Sequence, residues 1–305
     1  MRIFVTGVSG LLGLNIAAHI RSYHDIKGSY YSHPVRMLNV STVKMNLDAV
    51  EMRKIIADFN PNLVINTIAL TNIEFCERNP EYAHTINVLS AQNIATISHN
   101  IGAKLVHIST DHIFNGSNSW NTEQTPASPV NVYADTKLSS ETAVLKSCSD
   151  ALIVRTNFFG CGTSVRESFS DWVINGLSSR THMNMFNDVY FTPILVNDLI
   201  DIILNLVNIN ATGIYHIGGS DRISKYEFAL MISDIFQCEN AYIRSSSIDS
   251  MEHLVKRPKD MSLSCDKTQK ALQIPMPRIR PSIVRLAEMH KSRYTKILES
   301  SYTSK

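Results

Sequence analysis

Nothing in the chain approaches the roughly 20 consecutive apolar residues needed to cross a bilayer. No charged, apolar and small-residue succession of a secretory leader precedes the first strand-like run, Met1-Arg2-Ile3-Phe4-Val5-Thr6. The expectation is therefore a cytoplasmic protein with no membrane partner. An excess of either charge is also missing. The 29 Lys and Arg against 27 Asp and Glu leave +2, which offers no electrostatic footprint for nucleic acid. The basic stretch Lys291-Ser292-Arg293-Tyr294-Thr295-Lys296 reads as a solvated helix face. Five cysteines (Cys76, Cys148, Cys161, Cys238, Cys265) are odd in number and scattered, so neither a disulfide framework nor a metal site is expected of them. No repeat or low-complexity run interrupts 305 residues of ordinary globular composition, 44% hydrophobic and 18% charged.

What is there is an alternation of short β-rich runs with segments of helical period. Arg2 to Thr6, Ile26 to Tyr30, Leu63 to Thr67, Lys104 to Ser109 and Leu152 to Arg155 read as strands. Between them Leu12, Ile16, Ala17 and Ile20 recur at helical spacing, as do Ile55, Ile56 and Phe59, and Val88, Ala91, Ile94 and Ala95. The pattern predicts an α/β fold, a doubly wound, Rossmann-like parallel sheet with a smaller α/β C-terminal lobe for substrate. Residues 1–155 would bind a dinucleotide, with a return contribution from about 190–212. Residues 156–189 and 213–285 would form the substrate lobe, and 286–305 a helix and tail.

The first strand runs into Gly7-Val8-Ser9-Gly10-Leu11-Leu12-Gly13, glycines at G-x-x-G-x-x-G spacing before a helix. Such spacing allows a tight turn, close approach of a pyrophosphate and close helix packing, with the phosphates held at the helix N-terminus. Gly7, Ser9, Gly10, Leu11, Leu12 and Gly13 are the expected phosphate cradle. NAD sites place a carboxylate at the end of the second strand. Here that end reads Tyr31-Ser32-His33-Pro34-Val35-Arg36, with no acid in reach, and Ser32, His33 and Arg36 could serve a 2′-phosphate. NADPH is the expected cofactor, with NADH the alternative.

Reducing a ketone needs a proton donor beside the emerging alkoxide. Tyr133 and Lys137 stand at i and i+4 on one helix face, where an ammonium would lower the phenol's pKa. Val106-His107-Ile108-Ser109-Thr110 reads as a buried strand that brings Ser109 or Thr110 to the sheet's carboxyl edge.

These residues resemble the extended short-chain dehydrogenase/reductase family, in its dTDP-4-dehydrorhamnose reductase branch. The resemblance rests on the glycine turn, Ile65-Asn66-Thr67-Ile68-Ala69, Ser109-Thr110-Asp111-His112-Ile113-Phe114, Asn131-Val132-Tyr133-Ala134-Asp135-Thr136-Lys137, Arg155-Thr156, Gly213-Ile214-Tyr215-His216 and Arg257-Pro258. It implies reduction of the 4-keto group of a nucleoside-diphosphate 6-deoxy-4-keto hexose, in deoxysugar or surface-polysaccharide synthesis, with Thr110, Tyr133 and Lys137 catalytic. It further implies that Ala69, Thr71 and Asn87 lie by the cofactor, that Asp111, His112, Asn157, Phe158, Phe186 and Arg257 contact substrate, and that the protein pairs as a homodimer. No metal is expected.

Two departures from that branch bear on substrate. Phe158 stands where its members commonly carry tryptophan, and His112 where they often carry tyrosine. His112 keeps open an epimerase or epimerase/reductase, since an unperturbed imidazole exchanges protons near neutrality. A non-catalytic, NADP-binding regulatory subunit, like that of methionine adenosyltransferase, resembles the same branch and is the reading from another class.

Overall fold

A computed structural model of the chain describes residues 1–251 and 253–302. Seven parallel strands form one sheet in the order β7-β6-β5-β4-β1-β2-β3, from β1 (Arg2–Thr6), β2 (Asp25–Tyr30), β3 (Val40–Lys44), β4 (Leu63–Asn66), β5 (Lys104–Ile108), β6 (Leu152–Thr156) and β7 (Gly213–Ile217). Strand order reverses between β1 and β4, which opens a crevice at their carboxyl ends where α/β ligands bind.

The period-2 geometry of the strands divides the core in two. Ile3, Val5, Leu63, Ile65, Val106, Leu152 and Val154 face one cluster, while the intervening Phe4, Val64, Leu105 and Ile153 face another. The first is covered by α1 (Leu11–Ile20) and the helix Val196–Asn208, whose Leu199, Ile200, Ile203 and Leu206 recur at helical spacing. The second is covered by α2 (Ala49–Phe59), α3 (Ser90–Asn100) and α4 (Val132–Ser147). Each such aliphatic or aromatic side chain contributes roughly 1.5–3 kcal/mol by leaving water.

The smaller lobe gathers around Phe159, Val173, Phe191, Phe228, Ile232 and Ile283. In it α5 (Phe169–Ser178) and α7 (Lys225–Ile235), with α6 being Val196–Asn208 between them, each begin with a reciprocal capping box. At the second, Ser224 Oγ accepts from the Glu227 amide at 3.1 Å and Glu227 accepts from the Ser224 amide at 2.7 Å. α8 (Ile279–Lys291) and α9 (Arg293–Glu299) end the described chain.

Three boundaries differ from the sequence reading. β3 is an unanticipated seventh-strand edge: Val40-Ser41-Thr42-Val43-Lys44 is half-exposed and has no apolar run to reveal it. Gly213–Ile217, expected in the substrate lobe, pairs in parallel with Leu152–Thr156 and completes the main sheet. The last long helix begins at Ile279, seven residues before the helix and tail expected from 286, and Pro281 sits in its first turn, where a missing amide hydrogen costs nothing.

Two imidazoles are sealed in this sheet. His107 lies between Asn66 and Ser140, at 3.0 Å from each, and burial aided by the Lys137 charge holds its pKa well below the ordinary value. His216 packs edge-on to Phe114, and burial, then Arg155, lowers its pKa to about 3. The unfolded chain binds protons on both below about pH 6.5, and the folded chain does not. Stability therefore falls as pH drops, by roughly 2 kcal/mol per imidazole between pH 7 and pH 5. Urea unfolding at those two pH values measures it, and an unshifted midpoint would contradict neutral burial.

Candidate active site

Gly7 takes φ of 73°, a left-handed conformation that a side chain would strain. A Cβ on Gly13 would lie 2.4 Å from the Gly7 carbonyl oxygen, so only glycine allows α1 to start this close to β1. Gly10, the N-cap of α1, offers no capping side chain, and no acid occupies the first turn. The first-turn amides and the positive helix end are thus available to an anion. The turn is pinned to β2, with the Val8 amide donating to Ser29 O at 2.8 Å and the Gly7 amide to Ser29 Oγ at 3.3 Å. Beyond β2, Ser32 and His33 bond each other at 2.8 Å, and Arg36 is exposed. Asp25 starts β2 at the opposite end of the sheet, 3.8 Å from Arg2, and cannot reach a ribose bound at the glycine turn. The cradle therefore fits a dinucleotide pyrophosphate, and the loop beyond β2 carries no carboxylate to repel a 2′-phosphate.

The two hydroxyls after β5 have different fates. Ser109 is spent in the core, donating to Glu141 at 2.5 Å. Thr110 reaches the sheet edge, where it accepts from the His112 amide at 3.2 Å and adjoins the Tyr133 phenol. Tyr133 stands in the first turn of α4, whose N-cap Asn131 accepts from the Ala134 amide and donates to Lys256 O of the second lobe, both at 2.9 Å. Burial raises the Tyr133 pKa to about 12, with the Thr110 hydroxyl pulling the other way. Lys137 does not depress it as its i+4 spacing suggests. Its Nζ turns back to donate to Ile108 O at 2.7 Å, and burial brings its own pKa down to about 8 against the opposing charge of Glu141.

Asn87 is buried behind the loop expected beside the cofactor. Its Oδ1 accepts from the Leu70 amide at 2.7 Å and its Nδ2 donates to Thr136 Oγ1 at 2.9 Å. It ties the loop holding Ala69 and Thr71 to the tyrosine helix. A bend of π-helical turns at Thr85–Leu89 puts it there.

Facing this edge from the second lobe is Lys225, a residue that no sequence motif singles out. Its Nζ lies 3.3 Å from the centre of the Phe191 ring and 4.6 Å from that of Phe169. Burial lowers its pKa and the charge of Asp111 opposes that shift. Asp111 in turn is buried, accepts from Asn157 Nδ2 at 2.8 Å, and has its pKa raised by burial. Burial, then Lys225 and Arg257, lower the His112 pKa to about 3. His112 Nδ1 and Arg257 Nε are both buried without a partner among the described residues, although Arg257 pairs with Glu74 through its terminal nitrogen. Beside Arg257 a cavity of about 340 Å³ is lined by Asn115, Gly116, Met251, Lys256 and Lys259. Phe158 packs against the central core and Phe186 against the core of the smaller lobe.

Elsewhere the five cysteines are unpaired, and Cys161, in the lobe core, has its pKa pushed up to about 12 by burial. Cys148 approaches Asp150 and His99, donor atoms all within 4.8 Å, but at the far end of α4 from Tyr133. No helix among the described residues is long and apolar enough to cross a membrane.

Residues 1–292 match the family model described as the RmlD substrate binding domain. A crystal structure of a hypothetical dTDP-4-dehydrorhamnose reductase from Sulfolobus tokodaii superposes with a TM-score of 0.81 at 30% identity, over 92% of this chain and 97% of that one. The probable low-salt glycan biosynthesis reductase Agl14 of Haloferax volcanii is 26% identical over 94% of this chain and 97% of its own. Methionine adenosyltransferase 2 subunit beta of Xenopus tropicalis is 28% identical over 88% and 82%. With its glycine cradle, tyrosine helix and two-lobed cleft, the chain belongs to the RmlD-like family, the dTDP-4-dehydrorhamnose reductase branch of the extended short-chain dehydrogenases/reductases.

Proposed function

We propose that the protein reduces the 4-keto group of a nucleoside-diphosphate 6-deoxy-4-keto hexose with NADPH, using Tyr133 as proton donor. The observation that carries this reading is the meeting of the Tyr133 phenol and the Thr110 hydroxyl at the carboxyl edge of β5, in the same crevice as the glycine cradle. NADPH, when bound, supplies the hydride. Gly7, Ser9, Gly10, Gly13 and the first turn of α1 would hold its pyrophosphate, and Ser32, His33 and Arg36 its 2′-phosphate.

The chemistry left to the chain is to orient the ketone and deliver a proton. A phenol with a pKa near 12 stays protonated at neutral pH, which suits a donor to an alkoxide stronger in base than itself. Thr110 orients the carbonyl oxygen beside that phenol. Lys137 keeps a positive charge beneath the site until its own proton leaves at about pH 8. Asp111 and Lys225, one from each lobe, offer an acceptor and a donor to the sugar next to the reacting carbon. The cavity beside Lys256 and Arg257 would supply cations for the diphosphate, whereas Lys259 there is already paired with Asp249 and Asp188.

His112 argues against epimerisation. An imidazole whose pKa is near 3 is a proton acceptor weaker by on the order of a thousandfold than a free histidine. The similarity to methionine adenosyltransferase 2 subunit beta supports a second reading, in which the chain binds nucleotide and a partner without turnover.

Tyr133→Phe separates the two. The reductase reading expects kcat to fall about 10²–10⁴-fold with NADPH affinity retained; a native protein that binds NADPH yet turns over no 4-keto sugar nucleotide supports the regulator. In the reductive direction the rate should hold at neutrality and decline through about pH 8 as Lys137 loses its charge, and a profile flat to pH 10 would contradict that role. Lys225→Met should raise KM for the sugar nucleotide about tenfold or more, the loss of a charge-assisted hydrogen bond, while leaving NADPH affinity intact. An unchanged KM would remove Lys225 from the substrate site.

A further inference from the structure

Residues 293–302 follow the stretch matched by the family model, which ends at 292, yet they are built into the nucleotide end of the sheet. α9 lies against α1, with the Tyr294 hydroxyl donating to Asn15 Oδ1 at 2.9 Å and Leu298 fully buried. Glu299 accepts from the Ser164 amide at 2.9 Å and from its hydroxyl at 3.1 Å, which fastens the helix to the loop that leads into α5. The chain then turns back to the cofactor cradle. The Arg36 amide donates to Ser301 O at 2.8 Å, Val35 and Tyr302 form an antiparallel bridge, and the Tyr302 hydroxyl donates to Ser9 O at 2.7 Å. Ser301 is 1% exposed.

Two loops that are separate in sequence, the glycine turn at Ser9 and the loop beyond β2 at Val35 and Arg36, are thus joined by one short segment. The first carries part of the phosphate cradle, and the second the groups read above as the 2′-phosphate site. Arg36 itself is exposed, while Val35 and Met37 on either side of it are buried with Val8 and Leu14 and Thr42 Oγ1 donates to Val35 O at 2.8 Å; the segment adds the backbone bonds that fix Arg36 between them.

We propose that residues 293–302 form a strap that sets the spacing of the 2′-phosphate site, with Tyr302 as its positioning residue, and so make the preference for NADPH over NADH depend on this segment. The inference rests on the NADP reading of the cradle. Tyr302 acts through Ser9 and through the Val35–Arg36 loop and touches no reacting atom. Gly7 and Val8 of the cradle are held to Ser29 whether or not the strap is in place, and the strap's two backbone contacts fall on the Val35–Arg36 loop, so loosening it should disturb chiefly the 2′-phosphate end.

The test is Tyr302→Phe in the full chain, with Kd for NADPH and for NADH measured by nucleotide fluorescence. The change removes one hydroxyl and keeps the ring that packs against the lobe. NADPH should weaken about fivefold, the loss of one hydrogen bond's net worth, with NADH altered less than about twofold. Hydrogen exchange at Ser9, Gly10 and Arg36 should quicken in the same variant. Equal weakening of both nucleotides would make the strap a general support of the fold and overturn the proposal, as would unchanged affinity and exchange. A native protein that binds neither nucleotide would overturn the cofactor reading itself, a result distinct from native NADPH binding that Tyr302→Phe leaves intact.

Discussion

The site depends on a buried ion pair that takes no part in it. Arg155, in β6, donates to Glu141 through Nε and through its terminal nitrogen, at 3.0 and 2.7 Å, and Ser109 donates to the same carboxylate. Both side chains are about 95% or more withdrawn from solvent. Two charges brought this far from water are costly unless fully bonded, and removing one partner of such a pair typically costs about 3–5 kcal/mol. The bonding is nearly complete here, since Arg155 also meets His216 at 3.4 Å and the Phe114 ring at 5.7 Å. Its consequence is geometric. Glu141 lies one turn beyond Lys137 and two beyond Tyr133, so clamping it to β5 and β6 fixes the rotation of α4 about its axis. Lys137 then falls under the end of β5, and Tyr133 comes to face Thr110.

The second constraint is where the two lobes meet. α4 starts against the second lobe through Asn131 and Lys256 O, Asp111 holds Asn157, and Lys225 approaches from α7 inside an aromatic wall. A cation over aromatic rings is stabilised by their faces without being neutralised, which leaves its hydrogen-bond donors for a ligand. The same cleft holds polar atoms of His112 and Arg257 that lack partners among the described residues, and groups in that condition are expensive in a buried site unless a substrate meets them.

Much of this was legible in the sequence, for reasons that are local. The glycine spacing, the i and i+4 tyrosine and lysine, and the five core strands each lie within a few residues, and the chemistry they encode does not depend on distant contacts. β3 escaped because an edge strand exposes half its side chains, and β7 because its Gly213–Ile217 run sits amid turns, with pairing to β6 from sixty residues away. The direction of the Tyr133 pKa was misjudged from spacing: Lys137 lies on the same helix face but donates its hydrogen bond to Ile108 O, and burial decides the outcome. Lys225 and Tyr302 matter through neighbours more than a hundred residues distant, Asp111 for one and Ser9 for the other, and no short motif records such a meeting.

The central claim is that the chain is a reductase of nucleotide-linked keto sugars. Its most direct measurement is the oxidation of NADPH by the native protein on a panel of 4-keto-6-deoxyhexoses carried by dTDP, GDP, UDP and CDP, with NADH in parallel. The account predicts consumption with one nucleotide class, faster with NADPH, and a product carrying one new hydrogen at C4. Absence of consumption with every member, from a protein that demonstrably binds NADPH, would contradict it.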